Sequence, residues 1–192
     1  MGNTPSYFSH TGNGRNSVLD FSDEELKLFP VEQVSWDDAQ EFIKKLNEIE
    51  RGRGYLYRLP TVAEWEYACR GGATSEEECS YHFYFAKPTK DVSVEQANFN
   101  GNIPFNNAPS RKYLGRTTRV GAYPANKLGL CDMHGNVWQW CADASPEGTY
   151  RINRGGSWYY GDGNCQAAYS VWNLPTNRSY VIGFRLVRVP LR

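Results

Sequence analysis

The chain of 192 residues is 40% hydrophobic and 22% charged, with 18 glycines and 10 prolines, which excludes a disordered chain, a collagen-like repeat and a coiled coil. Lysine and arginine together number 21, as do aspartate and glutamate. Because these charges cancel, we expect neither nucleic acid nor an anionic membrane surface as a partner. A chain of this length buries roughly 70% of its unfolded surface, which predicts a single domain over 1–192.

The N-terminal residues 1–15 are polar and the apolar runs are short, so the sequence predicts no signal peptide, no transmembrane segment and no membrane insertion. The localisation stays unknown, and the sequence is compatible with both a cytoplasmic and a virion-associated protein. An odd number of cysteines without C-x-x-C spacing favours free thiols over a disulfide framework: Cys69, Cys79, Cys131, Cys141 and Cys165. The 28 aromatic residues (6 Trp, 13 Tyr and 9 Phe) predict an aromatic core or an aromatic binding surface.

Two helices are predicted in the N-terminal half of the chain. Apolar residues recur at steps of three and four over 37–49, and Ser35 stands where an N-cap is expected. A second helix is predicted over 62–70, because Thr61 and Glu64 have the spacing of a capping box. Both starts are therefore encoded locally.

Strands are predicted at 55–58, 135–140, 151–158 and 182–189 from short alternating or β-branched runs. Residues 73–124 are rich in Gly, Pro, Asn, Ser and Thr and have little periodicity. A loop segment of this length disfavours a doubly wound α/β fold and favours an α+β domain whose loops carry its function.

The segment 130–140 contains a Gly-Asn turn followed by Trp138 and Trp140, which alternate and so share one face of a strand. This pattern predicts core packing. The histidines are far apart and lack a second histidine at helical spacing, which predicts no standard metal site: His10, His82 and His134.

Five ordered motifs resemble those of the formylglycine-generating enzyme (sulfatase-modifying factor) family: Pro30–Ala39, Tyr57–Ala68, Gly129–Trp140, Arg154–Trp158 and Gly183–Arg188. The resemblance implies an α+β C-type lectin fold with two helices, a small antiparallel sheet and long irregular loops. It further implies that residues 1–8 follow an N-terminal hairpin in relatives, so the first strand of the family pattern is expected to be absent or replaced.

The resemblance also implies a pair of copper-binding cysteines, of which one falls on Cys165 and the other on Tyr160. Copper(I) requires two soft thiolates, so copper and oxidase activity are not expected. One implied calcium site falls on Asp132, Gly135, Val137 and Gln139, where a glutamine replaces a carboxylate ligand. A second implied site retains Asn98 and Phe99, and calcium remains the one cofactor left open.

The C-terminal segment resembles the variable region of a diversity-generating retroelement target protein, placed at about 154–188. Most of its residue types are reachable from an asparagine codon by changing adenines. The resemblance implies a ligand-binding surface for a protein partner, with the aromatic members as anchors: Tyr159, Tyr160, Gly161, Asp162, Tyr169, Ser170, Val171, Trp172, Asn173, Leu174, Ser179, Tyr180 and Val181.

Three hypotheses follow from these observations. The first is a non-enzymatic variable protein that binds a ligand through this segment. The second is a copper- and oxygen-dependent oxidase, or a degenerate relative of one, with Cys165 as the surviving thiol and the C-terminal segment as an ordinary loop. The third is a structural or regulatory module within a larger assembly.

Overall fold

The computed structural model describes residues 4–103 and 112–191. These residues contain helices α1 to α3 and strands β1 to β8, joined by long irregular connections. In chain order the elements are α1 Asp23–Leu26, α2 Trp36–Ile49, β1 Tyr55–Arg58, α3 Val62–Cys69, β2 Phe83–Tyr84, β3 Pro88–Thr89, β4 Trp138–Ala144, β5 Arg151–Arg154, β6 Ser170–Asn173, β7 Ile182–Phe184 and β8 Val187–Pro190.

Both predicted helices are present and begin at the predicted caps. The Ser35 hydroxyl accepts the backbone N–H of Asp38 at 3.0 Å, and the Asp38 carboxylate accepts the backbone N–H of Ser35 at 2.9 Å. Thr61 and Glu64 form the same reciprocal pair at the start of α3. A cap of this kind stabilises a helix by about 1 kcal/mol. The short helix α1, which sequence analysis did not predict, begins with a third capping box.

Strands β6, β5, β4 and β7 form a sheet in that order. The β6–β5 and β5–β4 pairs are antiparallel, as in the sheet that the resemblance implies, whereas β4 and β7 are parallel and depart from it. The parallel pair arises because the chain leaves β6 at one edge and crosses to β7 at the other, which brings β7 alongside β4 in the same direction. Strands β1 and β8 form a separate antiparallel pair.

Three predicted strands differ in extent from the observed ones, two of them for a backbone reason. The strand predicted at 135–140 begins at Trp138, because Gly135 and Asn136 have φ of 81° and 64°. The strand predicted at 151–158 ends at Arg154, where Gly155 and Gly156 have φ of 97° and 75°. The strand predicted at 182–189 is divided between two sheets, and β6 was not predicted.

The four-stranded sheet has a core on each face. Trp138 and Trp140 project to the face covered by Ala39 and Ile43 of α2, which we call the α2 face. The opposite face, called the α3 face, packs against Trp65 and Cys69 of α3. The predicted burial of the alternating tryptophans is confirmed, because Trp138 and Trp140 are both buried on one face.

Candidate functional site

Most of the predicted variable residues lie at the surface. Five of the large side chains are well exposed. Their exposed fractions are 44% for Tyr159, 40% for Tyr160, 41% for Tyr169, 53% for Trp172 and 49% for Leu174. Exposed large aromatic groups on a scaffold with its own cores are typical of a recognition surface.

Six tyrosines are linked by ring contacts, either with one another or through Trp138 and Trp158. We call this group the tyrosine surface: Tyr7, Tyr113, Tyr159, Tyr160, Tyr169 and Tyr180. The Tyr159 ring lies 5.4 Å from that of Tyr160 and 6.1 Å from that of Tyr180, measured between ring centroids. The Tyr7 ring lies 5.1 Å from Tyr180. These are favourable aromatic separations, so neighbouring rings hold one another in place.

Two buried tryptophans support the tyrosine surface from below. Trp158 stacks on Tyr113 at 6.0 Å, with 16° between the ring planes, and also contacts Tyr159 and Tyr180. Trp138 contacts Tyr160 at 6.2 Å and Tyr169 at 6.1 Å. The exposed rings therefore rest on the rigid core of the α2 face.

Tyr7 and Tyr113 were missed by sequence analysis. Tyr7 lies far from 159–181 in sequence and reaches the site because buried Glu32 accepts the backbone N–H groups of Tyr7 and Phe8, both at 2.9 Å. Burial raises the pKa of the Glu32 carboxyl to about 7, against the lowering effect of these two hydrogen bonds. No local pattern could have found this contact, because its partners are 24 and 25 residues apart.

The tyrosine surface carries hydroxyl groups and no formal charge at neutral pH. Burial raises the pKa of Tyr113 and Tyr180 above the usual value, and neighbouring tyrosines raise both further. These two hydroxyl groups are therefore protonated under physiological conditions. Such a surface offers ring faces together with hydroxyl donors and acceptors.

Some predicted residues occupy other positions. Gly161 and Val181 are buried, contrary to the expectation of an exposed set. A side chain at Gly161 would meet the Ile103 carbonyl oxygen, only 2.1 Å from its Cβ. Asn173 donates its side-chain amide to Asn153 at 2.8 Å, so it bridges strands β6 and β5.

The remaining predicted residues divide between the two faces of the sheet. Val171 packs toward the core of the α2 face. Trp172 pairs with Ile152, which packs on the opposite core, so Trp172 lies on the α3 face. Ser170 is exposed, while Asp162 and Ser179 are half-buried. The structure therefore brings the tyrosines together and separates Trp172 from them.

The connection between β6 and β7 is tied to the start of α2. Arg178 donates two hydrogen bonds to the Asp38 carboxylate, at 2.6 and 2.7 Å, and lowers the pKa of Asp38 to about 2. The backbone N–H of Asp37 donates to the Pro175 carbonyl, and that of Gln33 donates to the Ser179 carbonyl. These contacts fix the loop that carries Ser179 and Tyr180.

The residues at the implied copper positions do not fit a copper site. Cys165 is completely buried and its thiol donates to the Gly161 carbonyl, while burial raises the pKa of this thiol far above its usual range. Tyr160, at the first of the two implied positions, is exposed. All five cysteines are free thiols, as predicted.

Two side chains of the first implied calcium site, Gln139 and Asp132, are engaged in other contacts that compete with a calcium ion. The side-chain oxygen of Gln139 accepts from Trp65 at 2.8 Å and from the guanidinium of Arg185 at 2.6 Å. The Asp132 carboxylate accepts the backbone N–H of Gly121 at 2.7 Å. A buried guanidinium beside Gln139 already supplies a positive charge, which opposes a second cation. The backbone oxygen of Asn98 accepts from Asn136.

Within 4–103 and 112–191, no three His, Cys, Asp or Glu side chains are grouped so that they could hold a metal ion. Likewise, no helix in these ranges is long and apolar enough to cross a membrane. Buried His134 has no ring nitrogen free for a metal. Its Nε2 accepts the Tyr84 backbone N–H at 2.8 Å, and its Nδ1 bonds the Cys165 carbonyl at 2.7 Å.

The fold and its two cores define a C-type lectin fold of the formylglycine-generating type. The profile of the sulfatase-modifying factor enzyme 1-like domain matches residues 8–190, so the chain belongs to this family. The formylglycine-generating enzyme of Mycobacterium tuberculosis is 39% identical over 112 residues, which are 58% of this chain and 32% of that protein. The mouse enzyme is 31% identical over 175 residues, 81% of this chain and 43% of that protein.

Solved structures agree with this assignment of the fold. Treponema denticola variable protein 1 superposes with a TM-score of 0.75 and 23% identity, covering 99% of this chain and 78% of that one. CarF superposes with a TM-score of 0.62 and 28% identity, covering 85% and 68%. The chain spans less than half the length of the formylglycine-generating enzymes described above.

Proposed function

We propose that this protein is a non-enzymatic binding protein of the variable-protein class, in which the tyrosine surface and the exposed residues of 159–181 contact a protein partner. The observation that carries the proposal is the patch of six uncharged tyrosines resting on buried Trp158 and Trp138. Tyrosine gives a large contact area and loses little side-chain entropy on binding, which is why it is abundant in paratopes.

The distribution of stability supports this proposal. The capped helices and the hydrogen bonds that Glu32 accepts from Tyr7 and Phe8 lie outside 159–181. Most core residues also lie outside this segment, which contributes Ala167 and Val181 to the two cores. Exposed positions above them can change identity without loss of the fold. The match to a protein titled a variable protein, together with residue types that are mostly reachable from an asparagine codon by changing adenines, motivates the further proposal that a diversity-generating retroelement changes these positions.

We propose a non-enzymatic protein because of the environment of Cys165. A thiol that is fully buried and protonated cannot serve as a copper ligand or nucleophile without rearrangement of the core. Tyr160 adds a phenol where a second soft ligand would be needed. The alternative function as an oxidase is therefore not supported by the residues at the two implied copper positions.

Two experiments test the proposal. First, sequencing the DNA around the gene should reveal a near-copy of the segment encoding 159–181 that differs only at adenines, beside a reverse-transcriptase gene. Second, a displayed library randomised at Tyr159, Tyr160 and Tyr169 should retain folded members with new binding specificities, whereas a matched library randomised at Trp158 should not fold. Absence of the near-copy contradicts the retroelement origin, and loss of folding in the tyrosine library contradicts the binding surface.

A further inference from the structure

Strand β6 forms one end of the four-stranded sheet, so one of its edges lies beyond the pairing with β5. Within residues 4–103 and 112–191, no backbone group of Ser170–Asn173 bonds to a residue outside that pairing. Ser170 and Trp172 are exposed. The edge is therefore open to solvent and accessible to another chain.

The register assigns which backbone groups face outward. The backbone N–H of Trp138 donates to the Val181 carbonyl at 2.8 Å, so the backbone groups of Trp138 point to the β7 side of β4. Backbone groups alternate in direction along a strand, so those of Gln139 point to β5, where Gln139 pairs with Arg154. The groups of the next residue in β5, Asn153, then point to β6, where Asn153 pairs with Val171, so the backbone groups of Val171 point back to β5. The N–H and C=O groups of Ser170 and Trp172 consequently point away from the sheet.

This edge lacks the features by which proteins usually protect edge strands. Residues 167–174, with the sequence AAYSVWNL, contain no charged residue and no proline. By contrast, strand β8 contains both Arg188 and Pro190. Charge and proline normally prevent an edge from pairing with another strand. An uncharged edge within the proposed binding segment is therefore competent for strand addition.

We propose that an extended, uncharged segment of the partner protein adds to β6 as a fifth strand. The outward N–H and C=O groups of Ser170 and Trp172 bond the partner's backbone, and Trp172 and Val171 contact its alternating side chains on the two faces of the sheet. This inference deepens the proposed function and rests on it. Backbone groups persist when side chains are diversified, so the edge supplies affinity while the side chains supply specificity.

The test uses the intact chain and short linear peptides selected on it from a random displayed library. Ser170→Pro removes one outward N–H at the first position of β6, where proline is tolerated, and Ser170→Ala is the matched control. We expect Ser170→Pro to weaken binding of the selected peptides about tenfold or more relative to Ser170→Ala, which removes the side-chain hydroxyl but keeps the outward N–H. Circular dichroism and thermal unfolding check that both variants fold.

A second measurement acts on the peptide and does not depend on the fold of any variant. N-methylation of alternate peptide amides should abolish binding in one alternation and preserve it in the other, as expected for a strand that bonds through one edge. Enrichment of no peptide, or equal sensitivity to both alternations, overturns the inference. Self-association through β6 at high concentration, lost in Ser170→Pro, would identify a second copy as the occupant and also overturn it.

The failure of this inference can be distinguished from the failure of the proposed function. Peptides that lose binding in Tyr159→Ala but not in Ser170→Pro would support the tyrosine surface and refute strand addition. Peptides that lose binding in Ser170→Pro but not in variants of any surface tyrosine would support strand addition and refute the tyrosine surface.

Discussion

Two buried ionisable groups should make opposite contributions to the pH dependence of stability. Burial lowers the pKa of His134 from 6.5 to about 4. Burial raises the pKa of Glu32 from 4.5 to about 7. Both side chains lie inside the protein, so solvent screens neither strongly.

The direction of each effect follows from which state binds more protons. Between pH 4 and 6.5 the unfolded chain binds the proton of His134 more readily, so the unfolding free energy falls as the pH falls. Between pH 4.5 and 7 the folded chain binds the proton of Glu32 more readily, so the unfolding free energy falls as the pH rises. From pH 4.5 to 6.5 the two effects cancel.

Glu32→Gln should expose the His134 contribution. One proton linked to unfolding changes the free energy by about 1.4 kcal/mol per pH unit, so the variant should lose about 2 to 3 kcal/mol between pH 6.5 and 4.5 beyond any change in the original protein. Asp38 and Glu64 add little here, because their folded pKa values are about 2 and most of their titration lies below this range.

Urea unfolding followed by tryptophan fluorescence measures these free energies at each pH. His134→Asn is the matched variant and should give the opposite slope, with stability falling as the pH rises. Parallel pH profiles for Glu32→Gln and the original protein would refute the reasoning, because they would mean that Glu32 titrates equally in both states.

Further predictions concern the surface, the thiol and an exposed ion pair. Trp158→Ala should destabilise the fold by about 3 to 5 kcal/mol and Tyr160→Ala by about 1 kcal/mol or less, measured by chemical unfolding; equal losses would contradict their assigned burial. Cys165 should react with a thiol reagent only as fast as the protein unfolds, and copper(I) should not bind stoichiometrically to it; rapid reaction in native buffer would reverse this expectation. Arg178→Ala should cost about 1 kcal/mol or less, since Arg178 is solvent-exposed and Asp38 only half-buried, and high salt should reduce the difference. Calcium and chelators should leave the melting temperature unchanged, and a rise with calcium concentration would require a site other than the Gln139 network.

The sequence predicted the parts of the fold that depend on neighbouring residues. Ser35 and Thr61 begin helices because their partners stand three residues ahead, within the same turn. The alternation of Trp138 and Trp140 likewise predicted their common face. Strand ends were predicted less well, because the left-handed backbone at Asn136 and the positive φ of Gly155 depend on packing against distant segments.

The sequence by itself determined the helices, the buried tryptophans, the neutral charge and a C-terminal segment rich in tyrosine. Only the tertiary structure decided which of those tyrosines share a surface, that Tyr7 and Tyr113 join them, and that Trp172 lies on the opposite face of the sheet. It also decided that Cys165 is inaccessible and that Arg185 bonds Gln139. The physical reason is that local hydrogen bonds and periodicity act over a few residues, whereas these contacts join residues far apart in sequence, whose distances are set by the packing of two cores against one sheet.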